Sequence, residues 1–267
     1  MHGIVHSLIL GVVQGVAEFL PISSTAHLIL IPYFAGWSDP GLAFDVALHL
    51  GTLIAVLAFF WRDWVKIFSA AKISLNKGLY NFRKEVLFYL IIGTIPGALL
   101  GALFEKKVET IFRSPLLIAF ALIFAGIVLY WADKRFKGRK NIADVNLKDS
   151  VLIGLAQAIA IVPGISRSGG TISAGLWRGF DKISAARFSF LLSTPIIAGA
   201  ALLKLPHLFK HGFNTFVVVG ILSSAISGFF AIKYLLKYLE KHGYKIFFLY
   251  RLTLGITVIL FYFLKKS

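Results

Sequence analysis

The sequence predicts an all-α integral membrane protein made of two inverted-topology repeats, each a re-entrant helix-loop-helix followed by three transmembrane helices. Three observations predict it. The chain of 267 residues is 58% hydrophobic, against about 45–50% for a soluble domain. Apolar runs approaching the roughly 20 residues of a bilayer crossing recur along its whole length. The order of elements in the first half, a broken apolar stretch and then three spans, returns in the second. The expected organisation is a single membrane domain over 1–267, with repeat one at about 1–132, a basic linker at about 133–149 and repeat two at about 150–267.

Residues 1–31 are apolar but interrupted by Pro21 and the Ser23, Ser24, Thr25 cluster. Neither half is long enough to cross comfortably, so a re-entrant hairpin is expected, its break lying against protein rather than lipid. The stretch is not expected to be a removable signal, because Met1 to Ser7 has no Lys or Arg and Glu18 follows. Spans are expected at 44–61, 85–104 and 116–131, with a basic, amphipathic interfacial segment at 62–84. In the second half, 151–176 is apolar with a Pro-Gly break, and spans are expected at 186–203, 213–232 and 246–264. Local matches support the repeat: Gly11 to Gln14 resembles Gly154 to Gln157, and Gly93 to Gly101 resembles Gly220 to Gly228.

The formal charge is +16. In a soluble protein it would point to nucleic acid. Here the basic residues lie mainly between apolar runs, where they set topology, so no nucleic-acid partner is expected. If Met1 starts outside, the inner side receives the basic residues of 62–84, 133–148, 178–187 and 233–251, Arg251 among them. The outer side receives only Lys106, Lys107, Arg113, Lys204, Lys210, Lys265 and Lys266, so both termini are expected outside. The chain has no Cys, which excludes disulfides and thiolate metal sites.

Two polar islands stand out, since ionisable groups at membrane depth are costly and mark function. In the first, Gln14 and Glu18 share a helix face, Pro21 ends that helix, Ser23 and Ser24 suit the N-cap of the next, and His27 follows about a turn later. The first amides of that next helix would form an anion site, to which Ser23 and Thr25 add hydroxyls. In the second, Gly164, Gly169 and Gly170 permit close backbone approach. Ser166, Ser168 and Thr171 supply hydroxyls, and Arg167 a planar fork suited to phosphate. Asp45, His49 and Arg187 are supporting candidates, with a structural ion pair between Asp45 and Arg187 expected.

The pattern Gln14-x-x-x-Glu18, Pro-x-Ser-Ser-Thr-x-His27, with Pro-Gly-x-Ser-Arg-Ser-Gly-x-Thr in the second half, resembles the undecaprenyl-diphosphate phosphatase family of bacterial inner membranes, known also for bacitracin resistance. The run 188–195 also looks familial, and the resemblance covers essentially the whole chain. It implies removal of the terminal phosphate of an isoprenoid diphosphate lipid, recycling the carrier for cell-wall polymers. It further implies a site open to the periplasmic face and a divalent cation, Mg²⁺ or Ca²⁺. Where the family's first motif begins with Glu or Gln, this chain has Gln14, so any base or metal role there passes to Glu18. Arg167 and the 166–170 amides are expected to hold the scissile phosphate, with Glu18 helping to hold the cation. Either Ser24 attacks and His27 or Glu18 takes its proton, or Glu18 or His27 activates a water and Ser24 only binds. The competing reading is a secondary transporter or flippase for a lipid phosphate or other anion. Oligomeric state is open, with a homodimer as one expectation.

Overall fold

The computed structural model describes residues 3–39, 41–72, 85–109, 111–211 and 214–265. Among them are eleven α-helices and two 3₁₀ turns, with no strand beyond one isolated bridge between Lys140 and Phe180.

Helices α1 (Ile4–Phe19) and α2 (Ser24–Ala35) form a hairpin. α1 stops because a residue preceding proline is pushed out of the helical region, and Leu20, before Pro21, is extended. The chain then reverses through Ser23 at φ +74, a conformation that a residue with a Cβ seldom adopts. Ser23 Oγ accepts the Ala26 N–H at 3.4 Å and so caps α2. At the open end the rings of His6 and Trp37 stack at 3.8 Å, so α2 returns alongside α1.

α3 (Leu42–Phe59) is followed after a 69° bend by α4 (Trp61–Lys72). α4 is amphipathic: Trp64 and Ile67 enter the core while Trp61, Val65 and Phe68 are exposed, as on an interfacial helix. The rest of that expected segment, 73–84, lies outside the described residues. α5 (Val86–Glu109) leads through a 3₁₀ turn, Ile111–Arg113, into α6 (Pro115–Arg135). The linker carries a second 3₁₀ turn, Ile142–Asp144, and ends at the Asn146/Asp149 capping box of α7 (Leu147–Ile159).

α7 and α8 (Arg167–Trp177) make a second hairpin, its break again turned by a serine, Ser166, at φ +72. Fully buried Asp149 accepts from Arg178 Nε at 2.8 Å and pairs with Lys140, fastening the open end. α9 (Lys182–His211), α10 (Thr215–Leu239) and α11 (Lys245–Leu264) complete the chain.

Among the described residues five helices, α5, α6, α9, α10 and α11, are long and apolar enough to cross a membrane, or six if the bent α3–α4 pair is one span. Large apolar side chains on their outer faces are bare, Phe124 at 66% and Leu260 at 60% exposure, as a lipid-facing surface requires. Lipid is as apolar as leucine, so helix association there depends on close contact and polar bonds. Glycine supplies the contact. α1 lies along α10 and α7 along α5. A methyl on Gly11 would sit 2.5 Å from the Gly220 carbonyl oxygen, and one on Gly154 2.5 Å from that of Gly93. α6 pairs with α11 and α3 with α9. The core reaches the hairpin tips, where Phe19 and Phe190 meet edge to face at 5.3 Å.

The expected Asp45–Arg187 ion pair does not form. Asp45 Oδ2 accepts from Arg113 Nη1 at 3.1 Å, and Arg187 Nη2 donates to Asp63 Oδ1 at 2.8 Å. The reason is helix direction. Arg187, early in α9, lies over the Phe60 ring at the end of α3. α9 therefore starts where α3 finishes, and about 15 residues at 1.5 Å each separate that point from Asp45.

Candidate active site

The tips of both hairpins, α3 and α9 enclose a cavity of about 200 Å³. Glu18, in the last turn of α1 and 6% exposed, is its hub. Its Oε2 accepts from Ser24 Oγ at 2.7 Å and Gln14 Nε2 at 3.1 Å, and lies 3.4 Å from His49 Nε2. Its Oε1 accepts from Arg167 Nε at 3.3 Å and Nη2 at 3.2 Å. Arg167 Nη1 donates to Ser189 O at 2.8 Å, while its other two nitrogens converge on the one oxygen Oε1. One carboxylate from the first half is thus bound by a serine, a glutamine, a histidine and an arginine drawn from both halves.

His49 is held by its other nitrogen, Nδ1, 2.7 Å from the Asp45 carbonyl oxygen. A carbonyl only accepts, so Nδ1 carries a hydrogen, and Nε2 can donate to Glu18 only as imidazolium. In that form Arg167 and His49 outweigh Glu18, and the cavity favours an anion. α2 and α8 both begin at the cavity, so their positive ends add to the same bias. The part of the lining that α9 contributes, Ile196, Ile197 and Ala200, is apolar. A cavity with both polar and apolar lining suits an anionic group carried on a hydrocarbon chain.

The tips are interlocked. Ser23 Oγ accepts the Gly164 N–H at 3.1 Å, and Ser168 Oγ donates to Leu20 O at 3.2 Å. Ser166 Oγ caps α8 through Gly169 N at 3.1 Å. Ser23, Ser24, Thr25, Ser166 and Arg167 therefore face the cavity, whereas other members of the second island support it from behind. Thr171 Oγ1 turns to Arg167 O at 2.8 Å and to Ser189 Oγ at 2.6 Å. Gly170 packs toward the Ala156 carbonyl of α7. His27 is turned away from Ser24: Nδ1 lies 2.7 Å from Ser23 O and Nε2 accepts from Tyr250 Oη at 2.6 Å. Asp45 contributes through its carbonyl to His49 and its carboxylate to Arg113, and Arg187 is not at the site.

Sequence reasoning placed Arg251 with the inner loops and did not single out Tyr250 or Ser189. In the structure Arg251 is fully buried in α11. An arginine inside an apolar run was the available signal.

A divalent cation can be tested against these donors. Glu18 is the one carboxylate on the cavity wall, and among the described residues no group of three His, Asp or Glu stands ready as a cage. Mg²⁺ commonly binds through one or two carboxylates plus substrate phosphates. Glu18 with diphosphate oxygens fits that description, and a dedicated protein cage does not.

Fold and site together define a polytopic helical membrane protein with a buried polar cavity centred on a carboxylate. Residues 7–257 match the family model described as bacitracin resistance protein BacA. The chain is 52% identical to the undecaprenyl-diphosphatase of Moorella thermoacetica over 266 residues, covering 98% of this chain and 99% of that one. It is 50% identical to that of Pelotomaculum thermopropionicum over 253 residues, 95% and 94%, and 45% identical to that of Caldicellulosiruptor bescii over 265 residues, 97% of each. The chain belongs to the BacA family, and it is a multi-pass membrane protein.

Proposed function

We propose that this protein hydrolyses undecaprenyl diphosphate to undecaprenyl phosphate and inorganic phosphate, with Ser24 as nucleophile and Glu18 as its base. The observation that carries the roles is the 2.7 Å bond from Ser24 Oγ to Glu18 Oε2, with Arg167 spanning the other oxygen. Nucleophile and base within hydrogen-bond reach, and an orienting group behind, is the arrangement that activates a hydroxyl.

The entering terminal phosphate draws the Arg167 fork toward itself and frees Glu18 Oε1. The amides at the starts of α2 and α8 bind the remaining oxygens. Ser24 Oγ attacks phosphorus as its proton passes to Glu18 Oε2. The bond to the bridging oxygen breaks, and undecaprenyl phosphate leaves. Water then attacks the phosphoserine, Glu18 returns its proton to Ser24, and the water's own proton leaves with inorganic phosphate. A bound divalent cation, held by Glu18 and diphosphate oxygens, would neutralise charge on the leaving group. His49 keeps Glu18 oriented. The prenyl chain lies along Ile196, Ile197 and Ala200.

The two halves are inverted repeats of one membrane domain. Supporting this, each hairpin packs across halves through matching glycines, Gly11 on Gly220 and Gly154 on Gly93, and both breaks turn on a positive-φ serine cap. With both termini outside, as the basic residues favour, the cavity opens to the periplasmic or outer side. A reporter fused at Ser267 that scores cytoplasmic would overturn that orientation. Phosphate release from an isoprenoid diphosphate by purified protein in detergent, with and without Mg²⁺ or Ca²⁺, tests the activity. Release is expected, and its absence from folded protein would remove the hydrolase reading.

A further inference from the structure

Arg251 stands behind the site and takes no part in the chemistry above. It is 0% exposed, two turns into α11. Its guanidinium donates to four main-chain carbonyls: Nε to Leu122 O at 3.1 Å, Nη1 to Pro21 O at 3.2 Å, and Nη2 to Gly164 O at 2.6 Å and Ile165 O at 2.9 Å. None of these acceptors is a carboxylate. Burying a charge is costly unless it is fully hydrogen-bonded, so the position is a demanding one to fill with arginine merely for packing.

The acceptors explain the choice. Pro21 lies two residues before Ser23, the cap of α2. Gly164 and Ile165 directly precede Ser166, the cap of α8. One side chain therefore grips both helix breaks at once, without lining the cavity itself. Its Nη1 passes so close under the first turn of α8 that a methyl on Gly169 would lie 2.8 Å from it. That accounts for glycine at 169 without any contact to phosphate. Tyr250, the preceding residue, holds His27 by its hydroxyl, so the same turn of α11 fixes the first turn of α2 as well.

We infer that Arg251 is a positioning residue that sets the separation of the α2 and α8 N-termini, and so the geometry in which Ser24 and Arg167 meet one phosphorus atom. The inference rests on the proposed phosphatase reading. Lysine retains the charge but has no fork to span both breaks. A misplacement of about 1 Å between reacting groups can cost about 100-fold, while substrate affinity depends mainly on groups that remain. Arg251→Lys should therefore lower kcat for a C15 isoprenoid diphosphate at least tenfold and leave KM within about threefold. The comparison uses protein that elutes as a single species and unfolds cooperatively in detergent. Arg251→Lys with a lowered melting temperature but wild-type kcat would overturn the inference and leave a structural role only. If that variant does not fold, Gly169→Ala carries the test by crowding the guanidinium. It should show the same kcat-specific loss, and wild-type kcat there would overturn the inference. Wild type run alongside separates the two ideas, since no phosphate release from wild type defeats the phosphatase reading and not the Arg251 assignment.

Discussion

Replacing Arg167 by alanine removes two bonds to Glu18 Oε1, at 3.3 and 3.2 Å, and one to Ser189 O at 2.8 Å. In the proposed reaction the two carboxylate bonds give way to two phosphate bonds. A hydrogen bond to a charged partner contributes about 1.5–3 kcal/mol, so losing two removes about 3–6 kcal/mol of transition-state stabilisation. That is roughly a 150-fold to 25,000-fold loss in kcat/KM. The fold is less exposed to the change. Breaking a buried ion pair costs about 3–5 kcal/mol when the remaining charge has no other partner. Glu18 keeps Ser24, Gln14 and His49, so the cost should fall below that range. The assay is phosphate release from an isoprenoid diphosphate, read beside thermal unfolding followed by the fluorescence of the 5 tryptophans. Arg167→Lys should lie between wild type and alanine, because it keeps the charge and loses the fork. A cooperatively folded Arg167→Ala protein with kcat/KM within tenfold of wild type would refute the reasoning.

Three further outcomes follow from the geometry. His49→Ala removes the imidazole 3.4 Å from Glu18 and should lower kcat about tenfold, the worth of one weak charge-assisted bond, with little change in melting temperature. Gly154→Leu drives a side chain into the Gly93 carbonyl and should cost at least about 1–3 kcal/mol by overpacking, read as a lower melting temperature. Arg113→Ala leaves Asp45, which is 2% exposed, without its cation, and should destabilise by about 3 kcal/mol. Asp45→Asn in the same background should recover part of that loss.

Much of this architecture was legible because its signals are local. Pro21 and the serine cluster announce a broken helix by dihedral and capping chemistry alone, and Ser23 caps α2 as the sequence order predicts. Glu18 and Arg167 stood out because ionisable residues inside apolar runs are rare. What the sequence obscured is non-local. Asp45 and Arg187 occupy similar early positions in their helices, but antiparallel packing carries them apart, and each finds a partner on a different element. Arg251 lies inside the expected span 246–264 yet counts among the inner charges, because a charge tally along the chain does not reveal that its guanidinium meets main-chain carbonyls of α6 and of both helix breaks. His27 lies close to Ser24 in sequence, yet its Nδ1 meets Ser23 O and its Nε2 meets Tyr250, 223 residues away.

The central claim is that Ser24, poised on Glu18, forms a bond to phosphorus. It is tested most directly by mixing purified protein with an isoprenoid diphosphate labelled in its terminal phosphate, quenching in acid within the first turnover, and mapping the label by peptide mass spectrometry. The account predicts phosphoserine at Ser24, absent in Ser24→Ala and depleted in Glu18→Gln. A first turnover that leaves no label on the protein, together with a Ser24→Ala variant that still releases phosphate at a substantial rate, would contradict it and transfer the attack to water.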